Sequence, residues 1–380
     1  MLGRFGRQLN GRILIVGGYG AFGAHVAQRL ARQTKLEIII AGRSAERAAA
    51  FASRLARTAN ATISHAVVDA TNVGAAEINA LGARVTVNAS GPFQVQNNYP
   101  LARACIEARS HYVDLADARA FVTGIKVLDQ AARKAKVCVV SGASSVPGVS
   151  SAVVCKFAGT FRSLDTVEIG ISPGNSFDPG AATATSILRL LGKPFPLRRN
   201  GREEIAYGWQ GLHRHSFPEI GTRWMCDVEV PDLDLLPAHY PSLQTARFSA
   251  GVEVGLFHLG LWSLSWLVRA GLARNPDALV KPLLAAKRRL GALGSDRGGM
   301  FVRMLGTDKK GRHQELSWHL IAPSGHGPYV PGIAAVILAR NLIAGQAPAS
   351  GAQPCFGLIT LSQFEEEVAD LDISCTHIWH

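Results

Sequence analysis

Through the first third of the chain, short runs of β-branched residues alternate with alanine-rich stretches whose apolar positions recur at helical spacing. Ile13–Val16, Ile38–Ala41, Ile63–Asp69, Val85–Asn88, Tyr112–Leu115 and Val137–Ser141 read as strands, with helices over Ala21–Arg32, Ala45–Thr58, Tyr99–Ala108 and Ala120–Ala135. A β-α succession of this kind predicts a parallel sheet with helices on both faces, the doubly wound α/β architecture.

Past about Val149 the pattern changes. Thr166–Ile171, Trp224–Val230, Met300–Gly306 and Gln314–Ile321 are strand-like and lie between Pro- and Gly-rich loops. The last two are joined by Thr307-Asp308-Lys309-Lys310-Gly311, a turn suited to an antiparallel hairpin. At 380 residues the chain also exceeds the size of a single hydrophobic core. The expected division is a first domain over 1–150, an α+β domain for substrate and dimer contacts over 151–325, and a C-terminal segment, 326–380. A helix near 331–345 is expected to pack back onto the first domain.

The most membrane-like stretch, Val254–Val268, is 15 residues long and includes His258, so it is too short to span a bilayer. No transmembrane segment is expected; the stretch reads as a buried or interface helix, and its apolar character points to a homodimer. Composition narrows the picture further. Forty Lys and Arg against 28 Asp and Glu leave a net charge of +12, but no block of five or more basic residues occurs, which argues against nucleic acid as a partner. Six cysteines without a C-x-x-C pair, and no signal peptide before the first strand, suit the reducing cytoplasm. His213-x-His215 and His377-x-x-His380 are weak as metal ligands, and no metal is expected.

The first predicted strand runs into Gly18-Tyr19-Gly20-Ala21-Phe22-Gly23, a G-x-G-x-x-G that opens a helix. In that setting Gly18 permits the tight turn, Gly20 lets backbone approach a dinucleotide pyrophosphate, Gly23 allows close packing of helix on strand, and the helix N-terminus faces the anion. The domain therefore reads as Rossmann-type. The second strand ends in Ala41-Gly42-Arg43-Ser44. An NAD-preferring domain carries an acidic residue there, whereas Arg43 and Ser44, with Arg47 one turn on, suit the 2′-phosphate of NADP. Asp69, ending the third strand, could either accept from the adenine amino group or cap the segment from Thr71. The loop Ala89-Ser90-Gly91-Pro92 follows the fourth strand, on the sheet edge where ligands collect.

Gly17–Gly23, Ala41-Gly42-Arg43, Val87–Phe93 and His111-Tyr112-Val113-Asp114-Leu115 together resemble the NADP-binding domain of the saccharopine dehydrogenase-like oxidoreductases, and Ser141–Gly148 resembles that family's exit into its second domain. The resemblance covers roughly residues 10 to 155. It implies an NADP-dependent oxidoreductase acting on a small carbonyl, imine or enoyl substrate, in a cleft between the two domains. Phe93 stands where the saccharopine-forming members carry a tyrosine, which removes a possible proton donor.

Hydride transfer needs a proton donor beside the acceptor. Asp114, Asp117 and Tyr112, at the end of the fifth strand, are the candidates, with helix capping or a salt bridge as their other use. Ser144 is a further catalytic candidate, and with Ser145 it would put hydroxyls and a helix N-terminus near the substrate. Arg223 and Arg297 are candidates for substrate anions. A Tyr-x-x-x-Lys pair is absent, which argues against a short-chain dehydrogenase. The competing readings are a protein that binds NADP(H) as a sensor or for structure without hydride transfer, and a member associated with a membrane surface.

Overall fold

The computed structural model describes residues 11–96, 98–176, 180–273, 276–289 and 293–380. The chain divides into two compact units: one reaches to Gly148 and takes in Tyr329–Ile359, the other comprises Val149–Pro328 and Thr360–His380.

In the first unit six strands come in sequence: β1 (Gly11–Val16), β2 (Leu36–Gly42), β3 (Thr62–Val67), β4 (Val85–Asn88), β5 (His111–Asp114) and β6 (Cys138–Ser141). Gly351–Pro354 adds a seventh beside β6, so the order is Gly351–Pro354, β6, β5, β4, β1, β2, β3, with every pairing parallel. Ile13, Leu14 and Ile15 follow one another on β1, point to alternate faces and are all fully buried, which is why that strand reads as a continuous apolar run. The order reverses direction between β1 and β4, creating the crevice at the carboxyl edge where ligands bind in open α/β sheets.

Helix α1 (Gly23–Leu30) follows β1, and α2 (Ala45–Ala56) follows β2, with Ser44 as its N-cap accepting from the Arg47 N–H at 3.3 Å. The helix Val330–Ile343 is apolar and buried along nearly its whole length because it packs on α1, β4 and β5 within this unit. Its Gly332 meets Val26 of α1 so closely that an added Cβ would lie 2.8 Å from the valine methyl.

Two local features depart from the sequence pattern. Ala120–Ala135 is not one helix but Arg119–Gly124, a 3₁₀ turn over Ile125–Leu128, and Asp129–Ala135. The Tyr99 hydroxyl donates to the Phe121 carbonyl (2.8 Å) and presses against Gly124, so a side chain occupies an acceptor of the helical ladder. An additional helix, Ala75–Leu81, starts where the Glu77 carboxylate accepts the Gly74 N–H at 2.9 Å.

The second unit holds a mixed seven-stranded sheet ordered Gln210–Phe217, Gly221–Asp227, Thr245–Ala250, Phe161–Ser172, Gly298–Asp308, His313–Ala322, Ser374–Trp379. Gly298–Asp308 and His313–Ala322 form the antiparallel hairpin. The fold is α/β: a doubly wound parallel sheet accompanied by a second domain on a mixed sheet. No helix among the described residues is long and apolar enough to cross a membrane.

Candidate functional site

The loop after β1 is shaped by three glycines in different ways. Gly17 is the residue with positive φ (79°), so the left-handed position of the turn falls one residue before the expected Gly18. A Cβ on Gly17 would lie 2.8 Å from the Ala89 carbonyl, so its absence lets the β1 and β4 loops touch at the crevice. A Cβ on Gly23 would lie 2.2 Å from the Gly17 oxygen, which fixes the start of α1 against the turn. Gly20 is different, since its Cβ would meet just the Gly17 oxygen at 3.1 Å, and its remaining side is open to an approaching ligand.

Gly20 N–H is spent on Gly17 O (2.9 Å) and Ala24 N–H on Gly20 O (3.0 Å). Among the described residues the N–H groups of Ala21 and Gly23 make no hydrogen bond. A glycine-lined cradle with unspent donors at a helix N-terminus fits a pyrophosphate. Gly23→Ala is expected to weaken dinucleotide binding by about tenfold or more, because the methyl displaces the Gly17 carbonyl and with it the turn; calorimetric titration with NADPH measures it, and unchanged affinity would show that the turn tolerates the shift.

At the end of β2, Arg43 is exposed and its charge reaches Asp69. Asp69 Oδ1 accepts from the N–H (3.0 Å) and hydroxyl (2.7 Å) of Thr71. Those hydrogen bonds, assisted by Arg43, hold its carboxyl below the usual range. Asp69 therefore caps the segment at Thr71, one of the two uses open to it.

The loop after β4 is tied down by a residue the sequence did not single out. Asn88 Oδ1 accepts from the Ser90 N–H (3.0 Å) and, over a short contact, from its hydroxyl, while Asn88 Nδ2 donates to the Tyr112 hydroxyl (3.0 Å). Gln96 Nε2 adds a bond to the Ser90 carbonyl (3.0 Å), Ala89 N–H binds Val16 O (2.8 Å), and the Gly91–Pro92 peptide is cis.

The expected proton donors separate into two kinds. Asp114 is fully buried, and its Oδ1 accepts from Ala116 N–H (3.0 Å), the Ser141 hydroxyl (3.0 Å) and Gly142 N–H (2.8 Å). Its Oδ2 is enclosed without a hydrogen-bond partner. Burial outweighs those donors and lifts its pKa to about 6. Tyr112 is also buried, and burial followed by the neighbouring Asp114 pushes its pKa well above the phenol value. These two side chains join β4, β5 and β6 inside the protein, and neither presents a solvent-accessible face, unlike the position expected of a proton donor. Asp117 is exposed to solvent, accepts from Gln94 Nε2 at 3.0 Å, and is crowded by protein atoms, so lost hydration raises its pKa. An accessible carboxyl that keeps its proton to higher pH than usual is suited to general-acid work.

Ser144 and Ser145 are both buried just beyond β6, in the turn held by Asp114, and Ser144 N–H binds Gly142 O at 2.8 Å. Arg223, expected to bind a substrate anion, is buried and consumed internally: its guanidinium meets the Ser172 and Pro173 carbonyls (3.1 and 3.3 Å), the Arg297 carbonyl (2.8 Å) and Glu253 (3.3 Å). It fastens the loop that carries Arg297 instead of greeting a ligand. Arg297 itself is exposed.

The profile of the saccharopine dehydrogenase NADP binding domain matches residues 13–140. Among solved structures, apo saccharopine dehydrogenase (L-Glu forming) from Saccharomyces cerevisiae superposes with a TM-score of 0.68 at 12% identity, covering 97% of this chain and 100% of that one. GenD2 from gentamicin A biosynthesis, solved in complex with NAD, gives a TM-score of 0.45 at 13% identity over 99% of each chain. No curated protein matches the chain. The glycine cradle, the basic end of β2 and the ordered β4 loop all lie inside the matched span, and residues 13–140 belong to the saccharopine dehydrogenase NADP-binding-domain family.

Proposed function

We propose that the chain is an NADP-dependent oxidoreductase that moves a hydride to or from a small carbonyl, imine or enoyl substrate. The observation that carries the NADP reading is the exposed, cationic Arg43 at the end of β2, with Ser44 and Arg47 beside it, where a carboxylate would select NAD. The pyrophosphate rests on Gly18, Gly20 and the first turn of α1. Ala89, Ser90, Gly91 and Pro92 line the crevice on the nicotinamide side, and the cofactor supplies the hydride when bound.

This chain's own residues supply position and a proton. Asn88 fixes Ser90 and hence the β4 loop, and Asp117 delivers the proton to the developing alkoxide or amine. Sensing without hydride transfer is the second reading, favoured by the burial of Asp114 and Tyr112, which leaves Asp117 as the accessible donor of the three. The helix Gly255–Arg269 exposes Leu256, Leu259, Trp266 and Leu267, an apolar surface suited to a second copy in a homodimer.

Arg43→Ala is expected to weaken NADPH binding about tenfold while leaving NADH nearly unaffected. Calorimetry with both cofactors reads this directly, and equal losses would remove the basis for choosing NADP. Catalysis is tested by NADPH oxidation with keto acids, amino acid plus aldehyde pairs, and enoyl esters.

A further inference from the structure

Tyr19 stands between the first two glycines of the Gly18–Gly23 motif, yet its side chain acts at the end of the neighbouring strand. Its hydroxyl accepts the Ser44 N–H at 3.0 Å. Its ring rests on Gly42, where a Cβ would come within 2.5 Å of the hydroxyl and 2.7 Å of two ring carbons. The Arg47 guanidinium lies over the ring face, 4.8 Å from its centroid. Ser44 in turn accepts from the Arg47 N–H through its hydroxyl (3.3 Å).

We infer that Tyr19 determines cofactor specificity, donating its phenolic proton to the 2′-phosphate of the bound dinucleotide and carrying Arg47 into place beside it. This rests on the NADP reading of the site and extends it to a residue of the glycine turn. A phenol has one proton and two lone pairs, and accepting from Ser44 uses a lone pair while leaving the proton to give. The Ser44 hydroxyl is in the same condition. Tyr19 and Ser44 therefore offer O–H donors, and Arg43 and Arg47 offer N–H donors. The nearby carboxylate, Asp69, spends Oδ1 on Thr71.

A cluster of donors backed by two cations suits a phosphate dianion, whose oxygens accept only. It suits a ribose 2′-hydroxyl less well, because that group carries no charge to pair with the two guanidiniums. The glycine at 42 acquires a reason as well: any side chain at that position would push the ring off its seat and take Arg47 with it.

The test is calorimetric titration of the full chain and its Tyr19→Phe and Tyr19→Ala variants with NADPH, NADH, adenosine 2′-monophosphate and adenosine 5′-monophosphate. Tyr19→Phe is expected to weaken NADPH and the 2′-monophosphate about tenfold and to leave NADH and the 5′-monophosphate nearly unchanged. Tyr19→Ala is expected to lose about threefold more for the 2′-phosphorylated ligands, because the seat of Arg47 goes too. Equal losses for both ligand pairs in Tyr19→Phe would overturn the inference and leave Tyr19 as a prop of the turn. If the unmodified chain fails to prefer NADPH over NADH, the NADP reading itself falls, and this inference with it. Thermal melting accompanies each titration, and should the alanine variant not fold, the phenylalanine variant decides.

Discussion

Asp117→Asn lowers turnover by about 10²–10⁴-fold, the range over which a positioned general acid contributes, while NADPH binding stays essentially unchanged. The asparagine keeps an oxygen for Gln94 Nε2, so the local hydrogen bond survives and the proton alone is lost. Crowding raises the pKa of Asp117, so the wild-type group stays protonated to higher pH than an ordinary aspartate. Reduction should fall as pH rises through that raised pKa, and the variant should lack this limb of the profile. Steady-state kinetics with a substrate found in the screen, taken as a function of pH, provide the comparison. An Asp117→Asn enzyme with wild-type turnover would move the proton donor elsewhere and strengthen the sensing interpretation.

The second large effect concerns stability. Asp114→Ala leaves Gly142 N–H, Ala116 N–H and the Ser141 hydroxyl without their acceptor inside the protein. With about 1–3 kcal/mol for each abandoned buried donor, partly relieved by entering water, the expected loss is about 3–5 kcal/mol, measured by urea denaturation. The pH dependence has a definite sign. Folded Asp114 titrates at about 6 against an ordinary 3.8, so the folded state holds the proton more tightly than the unfolded chain. Its contribution to stability is complete below about pH 4 and is lost as pH rises through about 6. The alanine variant should lack that slope, and a variant as stable as wild type would mean that the β5–β6 junction is held by other bonds.

What the sequence could disclose was chemistry carried by neighbouring residues. The glycine turn depends on residues 17 to 23, and a missing side chain at each of those glycines leaves a direct trace. Asn88 left none, because its importance arises from register: β4 and β5 pair Asn88 with Asp114, and Tyr112, two residues earlier on the same face, reaches the Asn88 amide. Arg223 illustrates the opposite error. Its partners, Ser172, Pro173, Glu253 and Arg297, are scattered over more than a hundred residues, so an arginine that reads as a surface cation is in fact interior. Ala120–Ala135 carried a helical pattern, but the interruption comes from Tyr99, outside the segment. The start of Ala75–Leu81 was hidden for a simpler reason: Gly74 offers a backbone N–H to Glu77 without the hydroxyl that marks a capping residue in sequence.

The return of Tyr329–Ile359 to the parallel sheet has a consequence for biogenesis. Until that segment has been synthesised, β6 is an unpaired edge and the apolar surface of α1, β4 and β5 lacks its cover. The partner sheet is likewise unfinished until Ser374–Trp379 zips onto His313–Ala322. Neither sheet is complete before its returning segment has been made, so the nascent polypeptide stays a client for chaperones until then, and a fragment ending near residue 150 should aggregate instead of yielding an isolated nucleotide-binding module.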